Sequence, residues 1–227
     1  MSEQRFEKGR DTVAAPTEKV HRSIVNDSTD LGRSGLVFND GRIWLDWTHP
    51  YGDPALVDTV QSVYIAYYGR PADAGGLDYW TARLTAEGGD LTAIIDAFFH
   101  SEEAQERFGG LSDEEMLTRI YQQLFGHEPD PEGRAFYLEA LRNGDTSLAR
   151  IALDILKGAR NRDALLIANK TKLANHFTEQ TVAYKRQYGK AAFADVGAVL
   201  ALVSTDPESL KVAMTAADAL VQGLPAG

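Results

Sequence analysis

Tyr64-Ile65-Ala66-Tyr67-Tyr68-Gly69-Arg70-Pro71-Ala72-Asp73-Ala74-Gly75-Gly76-Leu77-Asp78-Tyr79-Trp80 is a stretch that the chain uses twice. The second copy begins Tyr121-Gln122-Gln123-Leu124-Phe125-Gly126-His127-Glu128-Pro129-Asp130-Pro131-Glu132-Gly133. A shift of 57 residues, without a gap, pairs Tyr64 with Tyr121, Gly69 with Gly126, Asp73 with Asp130 and Gly76 with Gly133. It also pairs Leu84 with Leu141, Leu91 with Leu148 and Ile94 with Ile151. The pairs Tyr68/Phe125, Tyr79/Phe136 and Trp80/Tyr137 keep their aromatic character, and Asp90 meets Ser147, both good helix N-caps. An internal repeat of this kind is read before any single element, because it sets the architecture.

Each copy reads as three helices. Asp53-Pro54 supplies a cap and a first-turn proline. Val57, Val60, Val63 or Tyr64, and Tyr67 then recur at helical spacing, and Gly69 ends the helix. A short loop with Pro and Asp leads to a second helix, from near Gly75 to about Leu84 and from near Glu132 to about Leu141. The third helix follows Asp90 or Ser147. Between the copies, Ser112 and Glu115 form a capping box, and Leu111 staples onto Met116.

Outward from the repeats the pattern changes. Residues 1–34 are polar and aperiodic and read as an extended, loose arm. Residues 35–52 hold two short runs rich in β-branched and aromatic residues around Asn39-Asp40-Gly41, a hairpin signal. An isolated hairpin is marginal in water, so Trp44 or Trp47 is expected to anchor it on the helical body. After the duplicated region, residues 53–160, comes a helical extension, residues 161–227. It opens with one long helix from Asp163 to about Tyr188, with Leu166, Leu173, Phe177, Tyr184 and Tyr188 on one face. A short apolar helix through Val203 follows, and Asp206-Pro207 opens a last one that ends at Gly223. The expected fold is all-α: two tandem three-helix repeats plus C-terminal helices, with a small N-terminal β-hairpin and arm.

Composition narrows the function classes. The chain has 227 residues and a formal net charge of −10. That balance argues against binding nucleic acid or an anionic membrane surface, both of which need clustered Lys and Arg. The absence of cysteine excludes disulfides, thiolate metal sites and cysteine nucleophiles. The longest apolar run, Val196 to Val203, is far short of the ~20 residues of a spanning helix. The first eight residues lack the apolar core of a secretory signal. None of the five histidines pairs with another at the i, i+4 spacing of a zinc helix, and no glycine-rich phosphate loop follows a strand. His100-Ser101-Glu102-Glu103 reads as a solvated helix surface. No enzyme signature emerges, so a non-catalytic role is expected.

The twofold Tyr/Gly/Asp/Gly/aromatic pattern resembles the bacterial helical module known as domain of unknown function 4214, over roughly residues 55–222. Phycobilisome linker domains carry a similar short phrase. The resemblance implies the settings of that module: S-layer proteins, large secreted proteins with calcium-binding repeats, and the neighbourhood of some glycosyltransferases. In S-layer proteins a comparable helical region anchors the lattice to lipopolysaccharide. The implied role is a cell-surface module for polysaccharide or lipopolysaccharide, outside the cell without an N-terminal signal peptide. The cytoplasm is the alternative location. The chain departs from the usual setting in lacking Gly-Gly-x-Gly-x-Asp calcium repeats.

A sugar site needs an aromatic face and planar polar groups. The first loop offers Arg70, Asp73, Asp78 and Trp80, and the second His127, Asp130 and Tyr137. These seven are the ligand-binding candidates. Against them, Asp73 and Asp130 precede helices and read as caps, Trp80 reads as core, and Tyr64 and Tyr121 read as core. Arg70 has no structural duty visible in the sequence. No cofactor is expected, although the acidic loops leave calcium open. The second functional reading is a self-assembling structural subunit, a lattice, filament or linker protein held by protein–protein contacts.

Overall fold

The structure, a computed structural model, describes residues 51–227 and the backbone of two short strands before them. Those strands, β1 (Leu36–Asn39) and β2 (Arg42–Leu45), pair antiparallel with Leu36 opposite Leu45 and Asn39 opposite Arg42. The expected arm, and the anchoring by Trp44 or Trp47, lie outside the described residues.

Ten α-helices follow among the described residues. The first copy contains α1 (Pro54–Tyr68), α2 (Ala74–Ala86), α3 (Thr92–Phe99) and α4 (Glu102–Phe108). The second contains α5 (Asp113–Phe125), α6 (Pro131–Asn143) and α7 (Ile151–Gly158). Then come α8 (Asn161–Ala183), α9 (Phe193–Ala201) and α10 (Pro207–Gly223), with a single 3-10 turn at Lys190–Ala192. The helix boundaries of α2 and α6 obey the 57-residue shift to the residue.

Most caps carry the expected chemistry. Asp90 and Ser147 are not the N-caps expected of them, because α3 and α7 begin after Leu91 and Arg150 without a side-chain cap. The Asp53 carboxylate accepts from the Ala55 amide at 2.9 Å, and Ser112 and Glu115 close a reciprocal capping box. Gly69 and Gly126 end α1 and α5 in the left-handed region, at φ 61° and 71°.

Two expectations need correction. The first copy has a fourth helix: Ser101 caps α4 by accepting from the Ala104 amide at 3.1 Å, and Gly109 stops it after seven residues. The 57-residue equivalent of α4 falls at the start of α8. The long helix also ends at Ala183, five residues early, because Lys185 takes a left-handed φ of 50°. Tyr184 therefore points to solvent instead of extending the core face.

Helix α1 is central. It is apolar on nearly every side, as a helix enclosed by others must be, and α2, α4, α5, α7 and α8 all pack on it. One apolar cluster runs from Val57 to Leu224, so the sequence boundary near residue 160 is no break in packing. Buried polar side chains fix the register of this core. The Gln61 amide accepts from the Ala72 amide at 2.9 Å and donates to the Thr178 hydroxyl at 3.0 Å, which ties the first loop to α8. Gln123 Nε2 donates to the Ala66 carbonyl at 2.6 Å, and Lys170 Nζ donates to the Gln123 carbonyl at 2.6 Å. Residues 66 and 123 are equivalent in the repeat. The carbonyl near the end of α1, left without a partner inside its helix, is thus served by α5, and that of α5 by α8. Lys170 is buried, and desolvation lowers its pKa to about 8.

Candidate functional site

The first corner of the repeat is closed. Arg70, only 4% exposed, lies where α1, α4 and the segment before α9 meet. Its Nε and Nη2 donate to the two carboxylate oxygens of Glu103 at 2.8 and 2.7 Å, and Nη1 donates to the Pro71 carbonyl. Such a bidentate pair is the strong form of the interaction. Four rings surround the guanidinium: Tyr64 at 5.2 Å, Tyr68 at 5.4 Å, Tyr188 at 5.7 Å and Phe193 at 3.8 Å from the ring centres. Burial works against the charge, but the Glu103 hydrogen bonds outweigh it and hold Arg70 firmly protonated. Arg70 is therefore not the free loop cation that the sequence suggests. It is a buried junction, and Glu103 is its partner and no solvated surface acid.

The repeated glycine now has a reason. Asp73 accepts from the Gly76 amide at 2.8 Å, capping α2 as expected. A Cβ at Gly76 would overlap the Tyr64 hydroxyl, which lies against that first turn. Asp130 repeats the cap at 2.7 Å from the Gly133 amide, and the Tyr121 hydroxyl lies 3.4 Å from where a Gly133 Cβ would stand. Tyrosine, aspartate and glycine are thus one packing unit in each copy.

The second corner repeats the plan but stays open. His127 stands where Arg70 stands in the first copy, beside Tyr121 and stacked on Phe125 with 21° between planes and 5.7 Å between centres. Its Nδ1 faces the Glu128 carbonyl at 2.6 Å, and its Nε2 faces Asp163 Oδ1 at 3.1 Å. Both partners are acceptors, so the geometry favours the ring with hydrogen on both nitrogens, the imidazolium. The Glu128 carbonyl is the main cause of a raised pKa. Desolvation opposes it and Asp163 adds to it. The His127 side chain remains 48% exposed.

The rings that face solvent are not the ones expected. Tyr137 is buried, with its hydroxyl 3.4 Å from the Asp154 carbonyl, so it offers no face to a ligand. Trp80 is partly buried against Phe98, at 4.8 Å between centres. The residues just before them are open: Tyr79 is 55% exposed and Phe136 is 66% exposed. These two are equivalent in the repeat, and each meets the ring that follows it edge-on at 80°, with centres 4.9 and 5.1 Å apart. Asp78 is exposed beside Tyr79, and Arg83 Nη1 lies 3.4 Å from the Tyr79 hydroxyl. The pairing of Tyr79 with Phe136 in the repeat was the sequence signal for them.

Among the described residues no group of three or more His, Asp or Glu side chains converges as a metal site. None of the described helices is long and apolar enough to cross a membrane.

A duplicated four-helix unit, with the start of α8 serving as the fourth helix of the second copy, is the class that these features define. The family model described as "Domain of unknown function (DUF4214)" matches residues 47–108 and again residues 95–164. Together the two matches span more than half of the chain, and the protein belongs to that family. The first match ends with α4, and the second ends one residue from the 57-residue equivalent of that point. No curated protein and no solved structure matches the chain.

Proposed function

We propose that the protein is a non-catalytic binding module of the cell surface that holds polysaccharide on the exposed rings Tyr79 and Phe136. The observation that carries this reading is their equivalence: both copies offer a solvent-facing ring at one position of one helix, braced edge-on by its neighbour. A pyranose presents C–H groups on one face and hydroxyls at its rim. An aromatic face takes the former, and Asp78 and Arg83 beside Tyr79 suit the latter. The surface settings implied by the family resemblance point the same way. A non-catalytic role is supported by the use of the perturbed groups: Arg70, Lys170 and the buried tyrosines are each engaged in packing the fold.

Calorimetric titration of the full chain with surface polysaccharide tests the reading. The wild type binds, and Tyr79→Ala and Phe136→Ala each weaken binding about five- to tenfold, the scale of roughly 1 kcal/mol for an aromatic contact. A double variant that binds like the wild type, or a wild type that does not bind with or without calcium, rejects it.

The second reading, a structural subunit held by protein–protein contacts, has its own support in the apolar side chains that α8 and its C-cap leave in solvent, Leu165, Val182 and Tyr184. Light scattering across a concentration series separates the two, since only this reading requires assembly.

A further inference from the structure

The two corners of the repeat differ in one respect. At the first, the guanidinium of Arg70 is covered by the chain itself: Phe193 lies on it at 3.8 Å, and Tyr188 flanks it at 5.7 Å. At the second, the imidazolium of His127 has the same inner neighbours, Tyr121 for Tyr64 and Phe125 for Tyr68, but among the described residues no counterpart of Phe193. Its edge is fixed at both nitrogens, one face rests toward Phe125, and nearly half of the side chain is open to water. A flat cation held by its rim with a bare surface is the half of a cation–π contact that the first copy shows complete.

We propose that the His127 corner docks an aromatic side chain from a partner polypeptide, in the way that the first corner holds Phe193 and Tyr188. The internal precedent states the chemistry of the occupant: a short segment bearing Tyr or Phe, with no requirement for charge. A sugar is the poorer fit, because C–H faces seek electron-rich rings and not a cation. The inference is independent of the polysaccharide reading, which uses Tyr79 and Phe136.

The charged groups facing His127 are Asp163 and Arg162 of α8, and the neutral Tyr121 ring of α5 lies beside it. The Glu128 carboxylate is turned toward Arg134 of α6 at 3.0 Å, so only the Glu128 carbonyl addresses the ring. Loss of the second ring proton would leave one nitrogen opposed to an oxygen without hydrogen between them. The docking surface then loses its charge and its hold together, so binding weakens as pH rises through the titration of His127.

The test uses the full chain and a peptide copying residues 186–196, which carries Tyr188 and Phe193. The imidazole carbon-bound protons of His127 are followed by NMR during titration with millimolar peptide. Saturable ring-current shifts at His127 are expected at pH 6 and fade toward alkaline pH. His127→Ala should weaken binding about three- to tenfold, whereas His127→Arg keeps the cation, keeps binding and abolishes the pH dependence. A peptide with both rings replaced by leucine should not shift His127. The proposal is overturned if the leucine peptide performs as well or if His127→Ala binds equally. It is also overturned if His127 stays unmoved by peptide, including the case in which a neutral oligosaccharide moves it instead.

Discussion

Gly76 and Gly133 occupy the same turn of equivalent helices, yet their neighbours press on them differently. A methyl group at Gly76 would meet the buried Tyr64 hydroxyl, whereas at Gly133 the nearest hydroxyl leaves van der Waals room. Gly76→Ala should therefore lower stability by about 1–3 kcal/mol by urea unfolding, with Tyr64→Phe restoring most of it. Gly133→Ala should be near neutral, because helix propensity offsets the tighter contact. Arg70 supports a second cycle. Arg70→Met strands the Glu103 carboxylate and should cost about 3 kcal/mol, and adding Glu103→Leu should recover much of that loss. The capping of Asp73 and Asp130 was legible because a cap and its helix are adjacent in sequence. Arg70 was not, since Glu103, Tyr188 and Phe193 lie on later elements, and nothing local to Gly69-Arg70-Pro71 reports them. The solvent-facing rings were half legible. Leu77, Thr81 and Leu84 mark the inner side of α2, and residue 79 lies about 200° around the helix from Leu77.

Among the elements, those with both a period and a punctuation mark were readable: α1, α2, α5, α6 and α10 begin at the expected Asp or Ser caps. Removing one cap tests how far such a local signal stabilises the whole. Ser112→Ala should cost about 1 kcal/mol in thermal or urea unfolding, since it removes the hydroxyl that accepts from the Glu115 amide and leaves only the backbone half of the capping box at α5. Helix α4 was missed because seven residues are too few to display a period, although Ser101 followed by Glu102 and Glu103 is an ordinary helix start. The end of α8 was overrun for the opposite reason. Apolar spacing continues through Tyr184 to Tyr188, while the backbone turns at Lys185, a reversal that no glycine announces. The outward faces of α2 and α6 are expected to be free of folding duty: Tyr79→Ala and Phe136→Ala should each move stability by less than about 0.5 kcal/mol.

For the molecule as a whole, the apolar cluster shared by both copies and the C-terminal helices predicts a single cooperative unfolding transition, seen alike by circular dichroism and tryptophan fluorescence. Separate transitions for the repeats and the extension would contradict that continuity. Stability should also rise with pH in one window. Lys170 titrates near pH 8 when folded and near the ordinary lysine value, about 10.4, when unfolded. Between those values the unfolded chain binds the extra proton, so raising pH favours the folded state, by up to roughly 3 kcal/mol. The buried tyrosines, whose pKa values are raised chiefly by desolvation, oppose this only above about pH 10, where they begin to ionise in the unfolded chain. Lys170→Met should flatten the rise. The same lysine has a consequence for growth by duplication. A third copy added after the second would bring its own leading helix to the Gln123 carbonyl, a place already taken. Lengthening the series at that end would require evicting α8 and, with it, the segment that seals Arg70.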